Sequence, residues 1–139
     1  MAILLMGIVL SVAVPMLSMV LEGYLLAKAS AAAGSEATLA MQRIVTELRG
    51  ADSLQVSDHQ LSFRNRIGLT TIAQTPGSDA RIWLTQQGNS QPLLYLAQSS
   101  SLRFTRLSAR LLAISFIVVV PVQGTPLEYA FRTAVQLEP

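Results

Sequence analysis

Residues 1–21 read MAILLMGIVLSVAVPMLSMVL, a run without a single charged side chain. As a helix, a run of that length rises about 30 Å, the thickness of the hydrocarbon core of a bilayer. An unbroken apolar stretch this long is uncommon inside a small soluble domain, so a membrane span is expected. A cleaved secretory signal is the competitor, because Ala29-Ser30-Ala31 and Ala31-Ala32-Ala33 have the small-x-small form of cleavage sites. Against it stand three features: no basic residue precedes the run, the run exceeds the usual apolar region of about 7–15 residues, and Glu22 and Lys28 intervene before the alanines. A retained anchor is the preferred expectation.

Within the span, Pro15 cannot donate to the carbonyl of Ser11, a loss that lipid does not compensate. Gly7, Ser11 and Ser18 share one helical face. Such a face suits close helix–helix approach in lipid, and small residues are also ordinary in membrane helices.

Beyond Leu21 nothing stops the helix before Gly50. Ala27, Ala29, Ala31, Ala32, Ala33, Ala37 and Ala40 favour it, and Gly23 and Gly34 are small costs. A stripe runs through Leu26, Ser30, Ala33, Ala37, Met41, Ile44 and Leu48 at spacings of three and four. Glu36, Arg43, Glu47 and Arg49 fall off that stripe, toward solvent or a partner. One helix of about 50 residues is expected, its second half amphipathic.

From Ser53 the period becomes two. Leu54 and Val56, then Leu61 and Phe63, flank Ser57-Asp58-His59 as a hairpin. Further strands are expected around Ile82 and Leu84, after a turn at Gly88-Asn89-Ser90 through Leu93–Leu96, and around Leu102, Phe104 and Arg106. LLAISFIVVV, Leu111 to Val120, is apolar on both faces and belongs inside a sheet. After a turn over 121–126, Leu127, Tyr129, Phe131, Thr133, Val135 and Leu137 alternate with Glu128, Ala130, Arg132, Ala134, Gln136 and Glu138. The expected fold is α+β: a long N-terminal helix, transmembrane in its first half, packed on an antiparallel sheet of about six strands. Its parts are 1–21 (membrane), 22–50 (amphipathic helix) and 51–139 (sheet domain).

Composition agrees. The 139 residues are 51% hydrophobic and 13% charged, below the usual quarter for soluble domains. A net charge of +2 is too small to argue for nucleic acid. The absence of cysteine excludes disulfides and thiol chemistry, and one histidine excludes a multi-histidine metal site.

Taken in order along the chain, these motifs resemble the type IV pilin superfamily. Gly7 stands eight residues before Pro15, as in the membrane helix of that family. Arg43-Ile44-Val45-Thr46-Glu47-Leu48-Arg49-Gly50-Ala51 is similar to the R-x-x-x-E-L-R-x-A helix ending of J-type pseudopilins of type II secretion and W-type minor pilins. The following strand–turn–strand and the final Thr133-Ala134-Val135-Gln136-Leu137 are similar as well, whereas residues 68–101 match only in pattern. The chain departs in one respect: family members begin with a basic leader ending in Gly, cut before a Phe-Thr-Leu-Ile-Glu-like stretch. With Gly7 and Pro15 aligned, Met1 falls about two turns into the mature helix. Leader, cleavage site, methylated residue and buried glutamate are missing; a start assigned too far downstream is expected in preference to a degenerate copy that is never processed, since a basic leader would orient the helix in the membrane.

The resemblance implies a structural subunit without catalytic activity, a minor pilin or pseudopilin. It would be held in the inner membrane with its domain in the periplasm and assembled into an envelope filament with other pilin subunits. Gly7, Ser11, Pro15, Ser18, Ala33, Ala37, Met41, Ile44 and Leu48 are then the candidate helix-packing residues. Arg103, Arg106 and Arg110 are a candidate basic contact surface, with Arg64 and Arg66 as a smaller pair. Without interleaved aromatics for base stacking, a solvated face is expected there rather than nucleic acid. His59 is expected as a solvated turn residue, and Trp83 and Tyr95 as core. No phosphate loop, Ser-His-Asp set or paired carboxylates occur at useful spacing, so no cofactor, metal or small-molecule substrate is expected. The rival readings are a membrane-tethered periplasmic domain that is never assembled, and a DNA-binding competence pseudopilus subunit.

Overall fold

In a computed structural model the described residues are 2–75, 81–122 and 124–137, with side chains from Met6 onward. Met1, Gln123 and Glu138, expected in the helix, the last turn and the last strand, lie outside them. The chain forms two units that meet between Ala32 and Ala33. Helix α1, Ala2–Leu48, supplies every described residue of the first and opens the second. Pro15 lies inside the helix without ending it.

The second unit is α+β: the C-terminal part of α1 packs on antiparallel sheets. The strands are β1 (Asp52–Val56), β2 (Gln60–Asn65), β3 (Gly68–Gln74), β4 (Ile82–Gln86), β5 (Asn89–Leu94), β6 (Arg103–Ser108), β7 (Leu111–Val120) and β8 (Leu127–Gln136). They form two sheets, not one. The first has the order β1-β2-β3-β4-β5 and the second β6-β7-β8. The segment between β5 and β6 joins them. Ala97 bridges Val118, the Gln98 N–H donates to the Ile117 carbonyl at 2.8 Å, and the Val119 N–H donates to the Leu96 carbonyl at 2.8 Å. At the start of β6, the Phe104 N–H donates to the Asp58 carbonyl in the β1–β2 turn at 3.2 Å.

The core follows from two periodicities. On α1 the buried positions are Ala33, Ala37, Ala40, Ile44 and Leu48, spaced three and four apart. Three alanines in that row let the helix backbone approach the sheets closely. On β7 the even residues Leu112, Ile114, Phe116, Val118 and Val120 are buried and their odd neighbours only half-buried, as suits a middle strand. Phe116 stacks on Phe131 of β8 with ring centroids 5.6 Å apart. Phe63, Leu61, Ile72, Ile82, Leu94 and Leu102 complete the cluster from the first sheet and the linking segment.

Strand β3 had no counterpart among the expected strands. Its inward positions are Thr70, Ile72 and Gln74, so two of its three buried side chains are polar and the apolar alternation disappears. The Gln74 amide earns its place: Nε2 donates to the Gln98 carbonyl at 2.6 Å and Oε1 accepts from the Leu102 N–H at 2.9 Å. The β4–β5 turn is also displaced from Gly88-Asn89-Ser90. Gln87 (φ 51°) and Gly88 (φ 84°) make a two-residue loop of the left-handed type that matches strand twist, and Asn89 already pairs with Gln86. The helix ends at Leu48, short of Gly50, where the Ala51 N–H donates to the Leu48 carbonyl at 3.2 Å.

Candidate functional site

The first unit offers a surface, not a cleft. From Met6 to Leu25 the large apolar side chains stand exposed around the whole helix; Leu17 is 72% exposed and Val20 71%. A Leu, Ile, Val or Met side chain gains about 1.5–3 kcal/mol on full removal from water. Water is therefore the wrong solvent for this segment. The helix is long and apolar enough to cross a membrane.

The two serine hydroxyls of the segment are closed onto its own backbone. Ser11 Oγ donates to the Ile8 carbonyl at 2.8 Å and Ser18 Oγ to the Pro15 carbonyl at 2.8 Å. Hydroxyls tied in this way enter an apolar medium at little cost. No neighbouring atom lies within 4 Å of a Cβ built at Gly7, so in this chain the residue leaves an open notch. Gly7, Ser11, Pro15 and Ser18 thus belong to the exposed, unpartnered part of α1.

The other helix-packing candidates do not. Ala33, Ala37, Ile44 and Leu48 are 0–1% exposed, buried in the core of their own domain, and Met41 packs against it. That stripe is used internally and leaves no free contact face. Ala40, which also faces the core, stands between Ala37 and Ile44 at the same spacing and was omitted from the expected stripe.

The acidic residues off the stripe turn toward the sheets rather than solvent. Glu47, its side chain 10% exposed, forms an ion pair with Arg43 at 2.9 Å. Its Oε2 accepts from Asn65 Nδ2 at 3.0 Å and from Gln86 Nε2 at 3.1 Å. Glu36 Oε1 accepts the Tyr95 N–H at 2.8 Å. Glu47 thus pins the helix to the first sheet, and Glu36 pins it to the segment that follows β5. Side-chain hydrogen bonding of this kind has no periodic signature, since the partners lie far along the chain.

The basic candidates divide. Arg103 and Arg106 lie three residues apart on β6, so strand alternation sends them to opposite sides, and Arg110 follows in the β6–β7 turn. All three are exposed, and Arg106 Nη2 donates to the Ala109 carbonyl at 3.2 Å. They make no single face. Arg64 on β2 and Arg66 in the next turn are exposed as well.

His59 is half-buried, not a solvated turn residue. Its Nδ1 lies 2.8 Å from the Leu102 carbonyl, which can only accept, so Nδ1 carries the proton. It borders a 260 Å³ cleft with Ser57, Gln60, Ala73, Gln74 and Ser100, a lining without an acid or a thiol. Tyr95, expected in the core, is 54% exposed, with the Arg81 guanidinium 5.3 Å from its ring centroid. Trp83 is half-buried on β4, opposite Pro92. No cluster of three or more potential metal-ligating side chains occurs among the described residues.

No family model, no curated protein and no solved structure matches the chain.

Proposed function

We propose that this chain is a structural subunit of a type IV pilin-like assembly, a minor pilin or pseudopilin. In that role α1 serves first as a membrane anchor and then as the assembly surface. One observation carries the reading: a single helix passes from an apolar segment exposed on all sides into the core of a folded domain. A lipid anchor needs only the first feature. A subunit pulled from a membrane into a filament needs both, because the domain must travel with the helix. The Gly7–Pro15 spacing and the helix ending at Arg43–Ala51 support the same reading.

In such an assembly Gly7, Ser11 and Ser18 face neighbouring helices, and Leu, Val and Met side chains replace lipid contacts with helix contacts. The stripe from Ala33 to Leu48 stays within its own domain. The domain lies on the periplasmic side of the inner membrane before assembly. The partners are other pilin-like subunits, and the role is mechanical, without catalysis.

The test is mass spectrometry of the N-terminal peptide of the protein expressed from its own locus, upstream DNA included. It is paired with fractionation of membranes and sheared filaments. An N-methylated terminus upstream of Met1, with the protein present in the filament fraction, is the expected result. A terminus at Met1 or Ala2, with all the protein retained in membranes, would replace the proposal with a tethered domain that is never assembled.

A further inference from the structure

Each of the two sheets ends in two edge strands: β1 and β5 for the first, β6 and β8 for the second. Unprotected edges expose rows of backbone donors and acceptors, and folded proteins blunt them with bulges, prolines, short strands or covering segments. Three of these four edges are blunted. β1 slips register between Asp52 and Gln55, β5 carries Pro92 and faces a register slip between Ile82 and Trp83, and β6 slips between Arg106 and Ser108. Among the described residues β8 has no such device: its ten residues pair with β7 one for one from Leu127 to Gln136.

The outward backbone groups of β8 can be assigned. The Leu137 N–H donates to the Arg110 carbonyl at 2.8 Å, which sets the parity of the ladder. Odd residues of β8 turn their N–H and C=O toward β7, and the even ones, Glu128, Ala130, Arg132, Ala134 and Gln136, turn theirs away from it. The opposite side of β7 agrees, since Val119 and Ile117 there bond to the Leu96–Gln98 segment. The side chains of all five even residues are exposed.

We propose that β8 is a self-complementary edge through which two copies of this chain pair antiparallel about Ala130, merging two β6-β7-β8 sheets into one. Parity permits this register, because Ala130 points its own backbone groups outward and meets its copy in a hydrogen-bonded pair. Glu128 then lies opposite Arg132 of the second copy, and Arg132 opposite its Glu128. On the other face Tyr129 lies opposite Phe131 in both directions. Registers centred on Arg132 or Glu128 would set like charges against each other, which is unfavourable in directly opposed pairs. The charges thus select a second copy as the occupant and Ala130 as the axis. About six new backbone hydrogen bonds close the edge. The contact is isologous and closes on itself, so it describes a paired form distinct from a growing filament. It does not depend on the pilin reading.

The test uses the full chain in membranes. The natural sequence has no cysteine, so a single introduced thiol reports alone. With Ala130→Cys the two Cα atoms should lie about 5.5 Å apart, and a short bis-maleimide should trap a dimer. With Ala134→Cys the two thiol positions should be about 27 Å apart, and the same reagent should leave monomer. In the Ala130→Cys background, Glu128→Arg should lower the dimer yield several-fold by opposing like charges, and adding Arg132→Glu should restore it. Equal trapping at both positions, no trapping at Ala130→Cys, or a double exchange that stays monomeric would each overturn the proposal. Both charged residues are exposed, so an unchanged melting curve shows that the variants remain folded.

Discussion

The two stretches of α1 on either side of Ala32 are both rich in apolar residues, yet they meet opposite surroundings. From Met6 to Leu25 the large side chains are branched or long, placed all round the helix, and exposed. From Ala33 to Leu48 one apolar row, most of it alanine, is buried, and Leu39 off that row is exposed. The difference lies in patterning and not in hydrophobic content. A helix apolar on every side requires an apolar medium, whereas a helix apolar on one side requires only a sheet.

The comparison breaks most visibly if a charge is placed in each half. Ile44→Asp buries an unpaired carboxylate at a position 0% exposed, so more than about 4 kcal/mol of domain stability should be lost. Trp83, the single tryptophan, gives a fluorescence signal for urea unfolding, and the variant should read as unfolded without denaturant. Leu17→Asp is the matching change in the first half. It should leave that unfolding curve in place and weaken membrane insertion by about 3 kcal/mol, seen as release of protein by alkaline carbonate. A domain destabilised by Leu17→Asp would show that the first half is not energetically separate.

Both kinds of helix segment were legible, one as an uninterrupted apolar run and the other as a period. The uncharged run marks a segment long and apolar enough to cross a membrane, spacings of three and four mark the buried row, and the doubly apolar β7 and alternating β8 mark the second sheet. What failed to show lies where polar groups do the structural work. Thr70 and Gln74 conceal β3, and Glu36 and Glu47 look solvated because their partners are distant in sequence, Asn65 and Gln86 on strands and Tyr95 just past β5. The division into two sheets leaves no periodic trace, because the segment between them is held by three hydrogen-bonded residues, Leu96 to Gln98. The basic cluster dissolved because proximity in sequence on a strand places Arg103 and Arg106 on different sides.

Glu47 sharpens the comparison within the second half. Glu47→Ala leaves the amides of Asn65 and Gln86 without their shared acceptor, and about 2 kcal/mol should be lost in urea unfolding. Arg43→Ala should cost less than about 0.5 kcal/mol, because that side chain is 54% exposed and its half of the ion pair is solvated. If the two variants lose equal stability, the ion pair rather than the helix–sheet bonds holds Glu47 in place.

The smallest effect has the opposite sign. Gly34 lies in the helix just past Ala33, and a Cβ built there meets nothing within 4 Å. Gly34→Ala should therefore add helix propensity without a clash, stabilising the domain by about 0.5–1 kcal/mol. Gly23→Ala also meets open space, yet it belongs to the first unit and should leave the domain's unfolding midpoint unmoved. The pair isolates backbone order from packing, since neither methyl group gains a contact. A midpoint raised by Gly34→Ala alone places the boundary of cooperative unfolding between the two glycines. Equal gains from both would mean that the helix melts as one piece with the domain, so that the apolar first half and the buried second half differ in surroundings but not in folding.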